Sequence, residues 1–151
     1  MVERLSPMDC HLSPAGRDLI KSFESLRLTA YKDSGGVWTI GWGHTRSVYA
    51  KMTIDREMAE AFLDTDLLEP ARAIRLMVEV ALSQNEYDAL TSFIFNVGGK
   101  KFGESTLLEK LNHSEYGMAA DQLPRWNKDN GATVAGLTKR RKAERAYFLG
   151  I

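Results

Sequence analysis

Two carboxyl groups and a hydroxyl group lie close together in the first third of the chain. Glu24 is followed by eight residues and then Asp33, and Asp33 is followed by five residues and then Thr39. Cleavage of a glycosidic bond usually requires two carboxyl groups, one that protonates the leaving oxygen and one that activates or replaces the water. These residue types therefore point to glycoside hydrolysis, provided that the local elements place all three on the walls of one cleft.

A helix is predicted to carry Glu24. Ser13 and Pro14 form a typical helix start, a hydroxyl cap followed by proline at the first helical position. One apolar stripe then follows at helical spacing, made of Leu19, Ile20, Phe23 and Leu26. Glu24 lies at the edge of this stripe, so we expect it to be partly buried. Apolar neighbours and the negative end of the helix dipole would favour its protonated form, as a proton donor requires, although a lone glutamate on such a helix is usually a surface residue.

Asp33 and Thr39 fall in a region with a different pattern. From Leu28 to about Thr45, β-branched and aromatic residues alternate with glycine, and residues 33–36 read Asp-Ser-Gly-Gly, a turn signal. This pattern predicts a small antiparallel sheet of two or three strands. As a catalyst, Asp33 would stay ionised and activate or position a water, and Thr39 would help to hold it. Singly, an aspartate in a turn and a threonine in a strand are ordinary structural residues.

The remainder of the chain is predicted to be helical. A helical pattern runs from Met58 to Val78 with Pro70 inside it, which indicates one long helix joining two lobes or, alternatively, two separate helices. Ser83 and Glu86 form a capping box before a helix that ends near Val97 and is apolar almost all round, as expected in the middle of a core. Shorter helices and a last helix over about 138–149 complete an α+β fold.

The length and composition indicate one domain. We expect a flexible leader over 1–12, containing an inert Cys10, and a single catalytic domain over 13–151. Within it, the β-containing lobe spans about 27–60 and the helical lobe about 70–151, with the helix 14–26 packed on the helical lobe. Lys and Arg number 20, as do Asp and Glu, so net charge predicts no attraction to nucleic acid or membrane. No stretch resembles a signal peptide or reaches the ~18 apolar residues of a membrane span.

The spacing of the three candidate residues, taken with the residues around them, resembles the catalytic signature of the phage-type lysozymes, the muramidase endolysins. The segment 30–45, Ala-Tyr-Lys-Asp-Ser-Gly-Gly-Val-Trp-Thr-Ile-Gly-Trp-Gly-His-Thr, is similar to the hairpin of that family. Further blocks match at 92–98, at 105–108, at 126–127 and at 136–141, the last followed by Glu144. The resemblance covers about residues 13–150.

This resemblance implies a lysozyme-like fold of two lobes joined by a long helix, with a cleft between them. It also implies hydrolysis of the β-1,4 bond between N-acetylmuramic acid and N-acetylglucosamine in peptidoglycan. Glu24 would be the acid, Asp33 the base or water-positioning carboxylate, and Thr39 its partner. The family reaction is inverting, which requires carboxyl groups ~6.5–9.5 Å apart to leave room for a water.

The resemblance also implies roles outside the catalytic trio. A structural ion pair is expected at His44, with Asp66 as its first candidate partner and Asp64 as the second. The loop after the central helix borders the cleft in this family, so Lys100, Lys101 and Phe102 are candidate glycan contacts. The segment 139–145 holds five cations and one acid, and is either a solvated helix face or a surface attracted to anionic peptidoglycan or lipid.

The expected partner is the glycan strand of peptidoglycan. We expect a monomer that binds no nucleic acid, does not insert stably in a membrane and uses no cofactor. A metal site is not expected either, because the three histidines and one cysteine show no ligand spacing. Such a protein would wait in the host cytoplasm until it is released to the periplasmic cell wall. Either a separate pore releases it, or its N-terminus has been altered for expression. The rival functions are a lytic transglycosylase, which forms an anhydro sugar without adding water, and a non-catalytic peptidoglycan-binding module.

Overall fold

The computed structural model describes residues 2–151. Eight α-helices occur in this range: α1 (Pro14–Phe23), α2 (Arg56–Asp66), α3 (Leu68–Met77), α4 (Gln84–Val97), α5 (Gly99–Gly103), α6 (Thr106–Asn112), α7 (Tyr116–Gln122) and α8 (Ala135–Leu149). The strands are β1 (Arg27–Lys32), β2 (Trp38–Gly41), β3 (Lys128–Asp129) and β4 (Ala132–Thr133), and short 3₁₀ turns occupy Pro7–Asp9 and Leu123–Arg125. The α+β class is confirmed.

The chain divides into two units. A small unit comprises Asp18–Leu68, and a helical unit comprises the chain up to Arg17 together with Glu69–Ile151. The first boundary falls within α1 and the second falls at the start of α3. The helical unit is therefore built from two separate stretches of sequence, whereas the small unit is one continuous stretch.

Helix α4 lies in the core of the helical unit. The predicted capping box is confirmed, since the Ser83 hydroxyl accepts the Glu86 N–H at 3.1 Å and the Glu86 carboxylate accepts the Ser83 N–H at 2.8 Å. Phe93 is fully buried, and the ring of Trp126 meets it edge-on with centroids 5.3 Å apart. Helix α4 is buried on most of its faces, as the apolar pattern of its sequence predicted, but the buried set also includes polar residues such as Asp88.

The N-terminal segment is not the flexible leader that we expected. Leu5 exchanges two backbone hydrogen bonds of 2.8 Å with Leu82, and the Arg4 guanidinium binds the Glu86 carboxylate at 2.9 Å. Arg4 also lies 3.7 Å from the centroid of the Tyr116 ring, and Cys10 is buried in the core of the helical unit. The prediction failed because the partners of this segment are distant in sequence and leave no local pattern.

The position of Cys10 gives a testable consequence. Burial raises the pKa of its thiol, so less of the reactive thiolate is present at a given pH. We expect a thiol reagent at pH 8 to label native Cys10 at least about tenfold more slowly than the same protein in denaturant. Labelling at the denatured rate would show that residues 4–10 leave the helical unit readily.

The small unit is built on the β1–β2 hairpin. The strands are antiparallel, with Tyr31 opposite Thr39 and Lys32 opposite Trp38. On its other side, β1 pairs with the segment 52–54, since the Ala30 N–H donates to the Met52 carbonyl at 2.8 Å and the Ile54 N–H to the Leu28 carbonyl at 2.9 Å. This segment forms only an isolated bridge, so the sheet has two strands of the two or three predicted.

The long connecting helix is divided into α2 and α3, which was the alternative prediction. Helix α2 ends at Asp66, and α3 begins at Leu68 with Pro70 in its first turn. Pro70 has no N–H to donate to the Asp66 carbonyl, and its ring would clash with that carbonyl in a continuous helix. In the first turn of a new helix this N–H would have no partner in any case, so proline is tolerated there.

Candidate functional site

Glu24 lies at the end of α1, as the sequence predicted. Its backbone N–H points to the Ile20 carbonyl at 3.3 Å and to the Lys21 carbonyl at 3.2 Å, so it still rests on the last helical turn. The side chain is half-buried. The carboxylate packs against Gly43, because a Cβ atom added at Gly43 would lie 3.0 Å from Oε2 of Glu24. The contact with Gly43 was not predicted from the sequence.

The turn that contains Gly43 is tightly closed. Ile40 and His44 exchange backbone hydrogen bonds of 2.9 and 2.8 Å, and the three residues Gly41-Trp42-Gly43 form the loop between them. Gly41 has a φ of +66° and Gly43 a φ of +81°, a left-handed conformation that costs other residues about 1–2 kcal/mol. Glycine at position 43 therefore serves two purposes, the backbone turn and the close approach of the Glu24 carboxylate.

Gly43→Ala is expected to reduce hydrolytic activity more than its stability cost explains. The backbone strain should lower the free energy of unfolding by about 1–2 kcal/mol, and the new methyl group must also displace the Glu24 carboxylate. Gly131→Ala is the matched control, since Gly131 has a φ of +79° and no atom within 4 Å of the added Cβ. Thermal unfolding and turbidity clearance should separate the two variants. Equal activity in both would show that the contact with Glu24 is unimportant.

Asp33 has one carboxylate oxygen fixed by its own turn. Oδ1 accepts the N–H of Gly35 at 2.9 Å and the N–H of Val37 at 2.8 Å. The Asp33 N–H also donates to the Val37 carbonyl at 3.0 Å. The side chain is exposed. The turn therefore orients the carboxylate through Oδ1 and leaves Oδ2 as the oxygen that a water can approach.

Thr39 is linked to the same turn through Val37. The residue is 4% exposed, and its hydroxyl donates to the Val37 carbonyl at 2.9 Å. Because the hydroxyl proton is used in this bond, the oxygen of Thr39 can act only as an acceptor toward a further group. Asp33 and Thr39 thus both offer acceptors whose orientation is set by backbone groups, and they belong with Glu24 to the small unit.

His44 lies beside Asp66, the first of its two candidate partners. Its Nδ1 is 2.8 Å from Oδ2 of Asp66, and its ring stacks on Phe62 with centroids 4.1 Å apart. His44 is 5% exposed, and its backbone closes the turn that holds Gly43. This environment fits a residue that joins β2, the following turn and α2.

The three candidate glycan contacts have different environments. Lys100 and Lys101 are exposed on α5 of the helical unit. Phe102 is fully buried and belongs to the core of that unit, so its side chain presents no surface to a ligand. Aromatic residues near a predicted loop are ambiguous in sequence because the same residue type serves sugar stacking and core packing.

The cationic segment 139–145 is mostly used inside the helical unit. Arg140, Arg141 and Glu144 are buried, and Nε of Arg141 lies 2.7 Å from Oε1 of Glu144. Oε2 of Glu144 accepts the Ser92 hydroxyl at 2.6 Å and Nε of Arg140 at 3.2 Å. Burial lowers the pKa of Arg141 to about 10, which leaves it charged at neutral pH. The solvated face of this helix is thus limited to Lys139 and Lys142, which are exposed, and Arg145, which is half-buried. The Arg145 guanidinium pairs with the Asp121 carboxylate at 2.8 Å.

Over residues 2–151, the His, Cys, Asp and Glu side chains form no group of three or more that could hold a metal ion. Within the same range, each helix is too short or too polar to cross a bilayer.

The phage lysozyme family model matches residues 21–144, a span that contains Glu24, Asp33 and Thr39. The endolysin of Salmonella phage P22 is 44% identical over 143 residues, which cover 91% of this chain and 97% of the phage protein. The endolysin of Acyrthosiphon pisum secondary endosymbiont phage 1 is 43% identical over 142 residues, with coverages of 91% and 97%.

Solved structures give the same result for the fold. A mutant of P22 lysozyme matches with a TM-score of 0.81 at 41% identity, covering 92% of this chain and 98% of that protein. The muramidase domain of SpmX from Asticaccaulis excentricus matches with a TM-score of 0.87 at 40% identity, with coverages of 93% and 98%. The predicted lysozyme-like fold is therefore confirmed.

Proposed function

This chain belongs to the phage lysozyme family, and we propose that it is an endolysin whose catalytic residues are Glu24, Asp33 and Thr39. Its activity is that of a glycoside hydrolase that degrades peptidoglycan. The bond cleaved is the β-1,4 link between N-acetylmuramic acid and N-acetylglucosamine. The observation that carries the residue assignment is the half-buried Glu24 carboxylate packed against Gly43, in the same unit as the oriented carboxylate of Asp33.

Glu24 acts as the general acid in this proposal. In this role its carboxyl group donates a proton to the glycosidic oxygen from the end of α1, where the side chain is half-buried. The contact with Gly43 restricts where the carboxylate can lie, so the proton is delivered from a defined position. Proton transfer by a positioned side chain typically accelerates such a reaction by about 10²–10⁴-fold.

Asp33 and Thr39 hold and activate the water. A water molecule can donate one proton to Oδ2 of Asp33 and the other to Oγ1 of Thr39. The Val37 N–H holds the other carboxylate oxygen of Asp33, Oδ1, and the Val37 carbonyl accepts the Thr39 hydroxyl proton, so both acceptors are oriented by this residue. The water then attacks the anomeric carbon as Asp33 takes its proton, the bond to the leaving oxygen breaks, and Glu24 protonates that oxygen. Attack on the face opposite the leaving group inverts the configuration at the anomeric carbon.

The proposal extends to the remaining candidate residues and to the place where the enzyme acts. His44 and Asp66 form a structural pair that stabilises the small unit, and Lys100 and Lys101 contact the glycan. The enzyme acts as a monomer on periplasmic peptidoglycan, without a metal or cofactor. Before lysis it stays in the host cytoplasm, and it acts on the cell wall once it is released.

The products of a peptidoglycan digest test this mechanism. We expect a reducing N-acetylmuramic acid end that mass spectrometry identifies by the added water, and proton NMR during the first minutes should show the α-anomer in excess. Initial formation of the β-anomer would contradict an inverting water. An anhydro sugar, lighter by one water, would indicate a lytic transglycosylase. Binding to peptidoglycan without any soluble product would indicate a non-catalytic module.

A further inference from the structure

Lys21 joins the last turn of α1 to two other elements of the small unit. Its Nζ lies 2.5 Å from Oε1 of Glu60 on α2 and 4.3 Å from the centroid of the Trp42 ring. The side chain of Lys21 is 19% exposed. The ammonium group is therefore held between a carboxylate and an aromatic face, two groups that both attract a cation.

Trp42 is the central residue of the turn that packs on Glu24. It is 4% exposed and lies between Gly41 and Gly43. The Arg56 guanidinium carbon is 5.5 Å from the centroid of the same ring. Since Arg56 and Glu60 are one turn apart on α2, this helix contacts both the Trp42 ring and the Lys21 ammonium.

The order of these residues places Lys21 next to the proposed acid. Lys21 precedes Glu24 by three residues, and the Glu24 N–H points to the Lys21 carbonyl at 3.2 Å. Trp42 directly precedes Gly43, against which the Glu24 carboxylate packs. Lys21 therefore lies one helical turn before Glu24 on α1, and Trp42 lies next to Gly43 in the turn that contacts the Glu24 carboxylate.

We infer that Lys21, through Trp42 and Glu60, is a positioning residue for the general acid Glu24. This inference rests on the proposed catalytic role of Glu24. The contacts of Lys21 fix the separation between the last turn of α1 and the turn 41–43, and that separation determines where the Glu24 carboxylate lies relative to Gly43. A displacement of 1 Å in a reacting group can reduce a rate by about 10²-fold, so a small change in this separation affects catalysis more than folding.

Lys21→Met tests the inference because it keeps an unbranched chain against Trp42 and removes the charge. We expect kcat on soluble peptidoglycan fragments to fall about tenfold, with KM changed less than about twofold, because the substrate-binding surface is unaltered. Lys21→Arg, which retains a cation that can stack on Trp42 and bind Glu60, should recover most of the lost kcat. Lys110→Met is the matched control, since Lys110 pairs with Glu115 at 3.7 Å on the helical unit and should keep wild-type kinetics.

Two kinetic results would overturn the positioning role of Lys21. A purely structural role for Lys21 predicts a lower midpoint of thermal unfolding with unchanged kcat at 25 °C, and that result would overturn the inference. A rise in KM with constant kcat would also overturn the inference, because it would assign Lys21 to substrate binding. Glu24→Gln is measured in parallel. If Glu24→Gln is inactive while Lys21→Met is fully active, only the positioning role of Lys21 fails. If Glu24→Gln is active, the proposed function itself fails.

Discussion

Glu24→Gln should lower the rate of peptidoglycan hydrolysis by about 10²–10⁴-fold, the usual contribution of a general acid. Glutamine keeps the size of the side chain and its packing against Gly43, but it has no acidic proton to give to the leaving oxygen. Because the substitution is nearly isosteric and Glu24 is only half-buried, we expect the free energy of unfolding to change by less than about 1 kcal/mol.

The measurement is a turbidity assay on Gram-negative cells stripped of their outer membrane, with wild type and variant at matched concentrations. Glu57→Gln is the control, because Glu57 is an exposed residue in the first turn of α2 and carries the same chemical change. Far-UV circular dichroism and thermal melts confirm that both variants are folded. A Glu24→Gln enzyme that kept more than a few per cent of wild-type activity would remove Glu24 from the role of acid.

The second large effect concerns stability. Glu144→Gln should lower the free energy of unfolding by about 3–5 kcal/mol, because it leaves Arg140 and Arg141 buried without their common carboxylate. A domain of this size has a total stability of about 5–15 kcal/mol, so such a loss is severe. Burial raises the pKa of Glu144, and the two arginines and the Ser92 hydroxyl oppose that rise. The negative charge of Glu144 therefore depends on these neighbours.

Urea unfolding at pH 7 measures this effect. Glu115→Gln is the control, since Glu115 pairs with Lys110 at 3.7 Å near the surface and exposed pairs contribute about 0–1 kcal/mol. An Arg141→Met, Glu144→Leu double variant should be more stable than Glu144→Gln, because it leaves fewer unpaired buried charges. If Glu144→Gln unfolds at the same urea concentration as wild type, the buried cluster does not stabilise the fold.

Local signals in the sequence predicted much of the fold. The capping box of Ser83 and Glu86 and the helix start at Pro14 were correct because the residues that form them are adjacent in the chain. The β3–β4 hairpin was missed although Asn130 and Gly131, with φ of +50° and +79°, are a strong turn signal. Strands of two residues carry no alternating pattern, so the turn had no flanking evidence.

Long-range contacts account for the features that could not be predicted. The segment 139–145 has the composition of a solvated helix. Its burial is evident only from tertiary contacts with α4, since Ser92 donates to Glu144 and the Arg141 guanidinium lies over the Phe93 ring. In the candidate site, residue types and spacing identified the three catalytic candidates. The packing of Glu24 on Gly43 depends on the tertiary arrangement of α1 and the turn, which spacing alone does not determine.

The split organisation of the helical unit has a consequence for synthesis. Arg4 and its partner Glu86 are 82 residues apart, and the whole small unit lies between them in the chain. At typical translation rates the first residues leave the ribosome about 4–16 s before α4 begins to follow. The small unit, which is continuous, can fold in that interval, whereas the helical unit must wait for loop closure across it. We expect nascent chains to acquire the small unit first, with the N-terminal segment docking only after α4 has emerged.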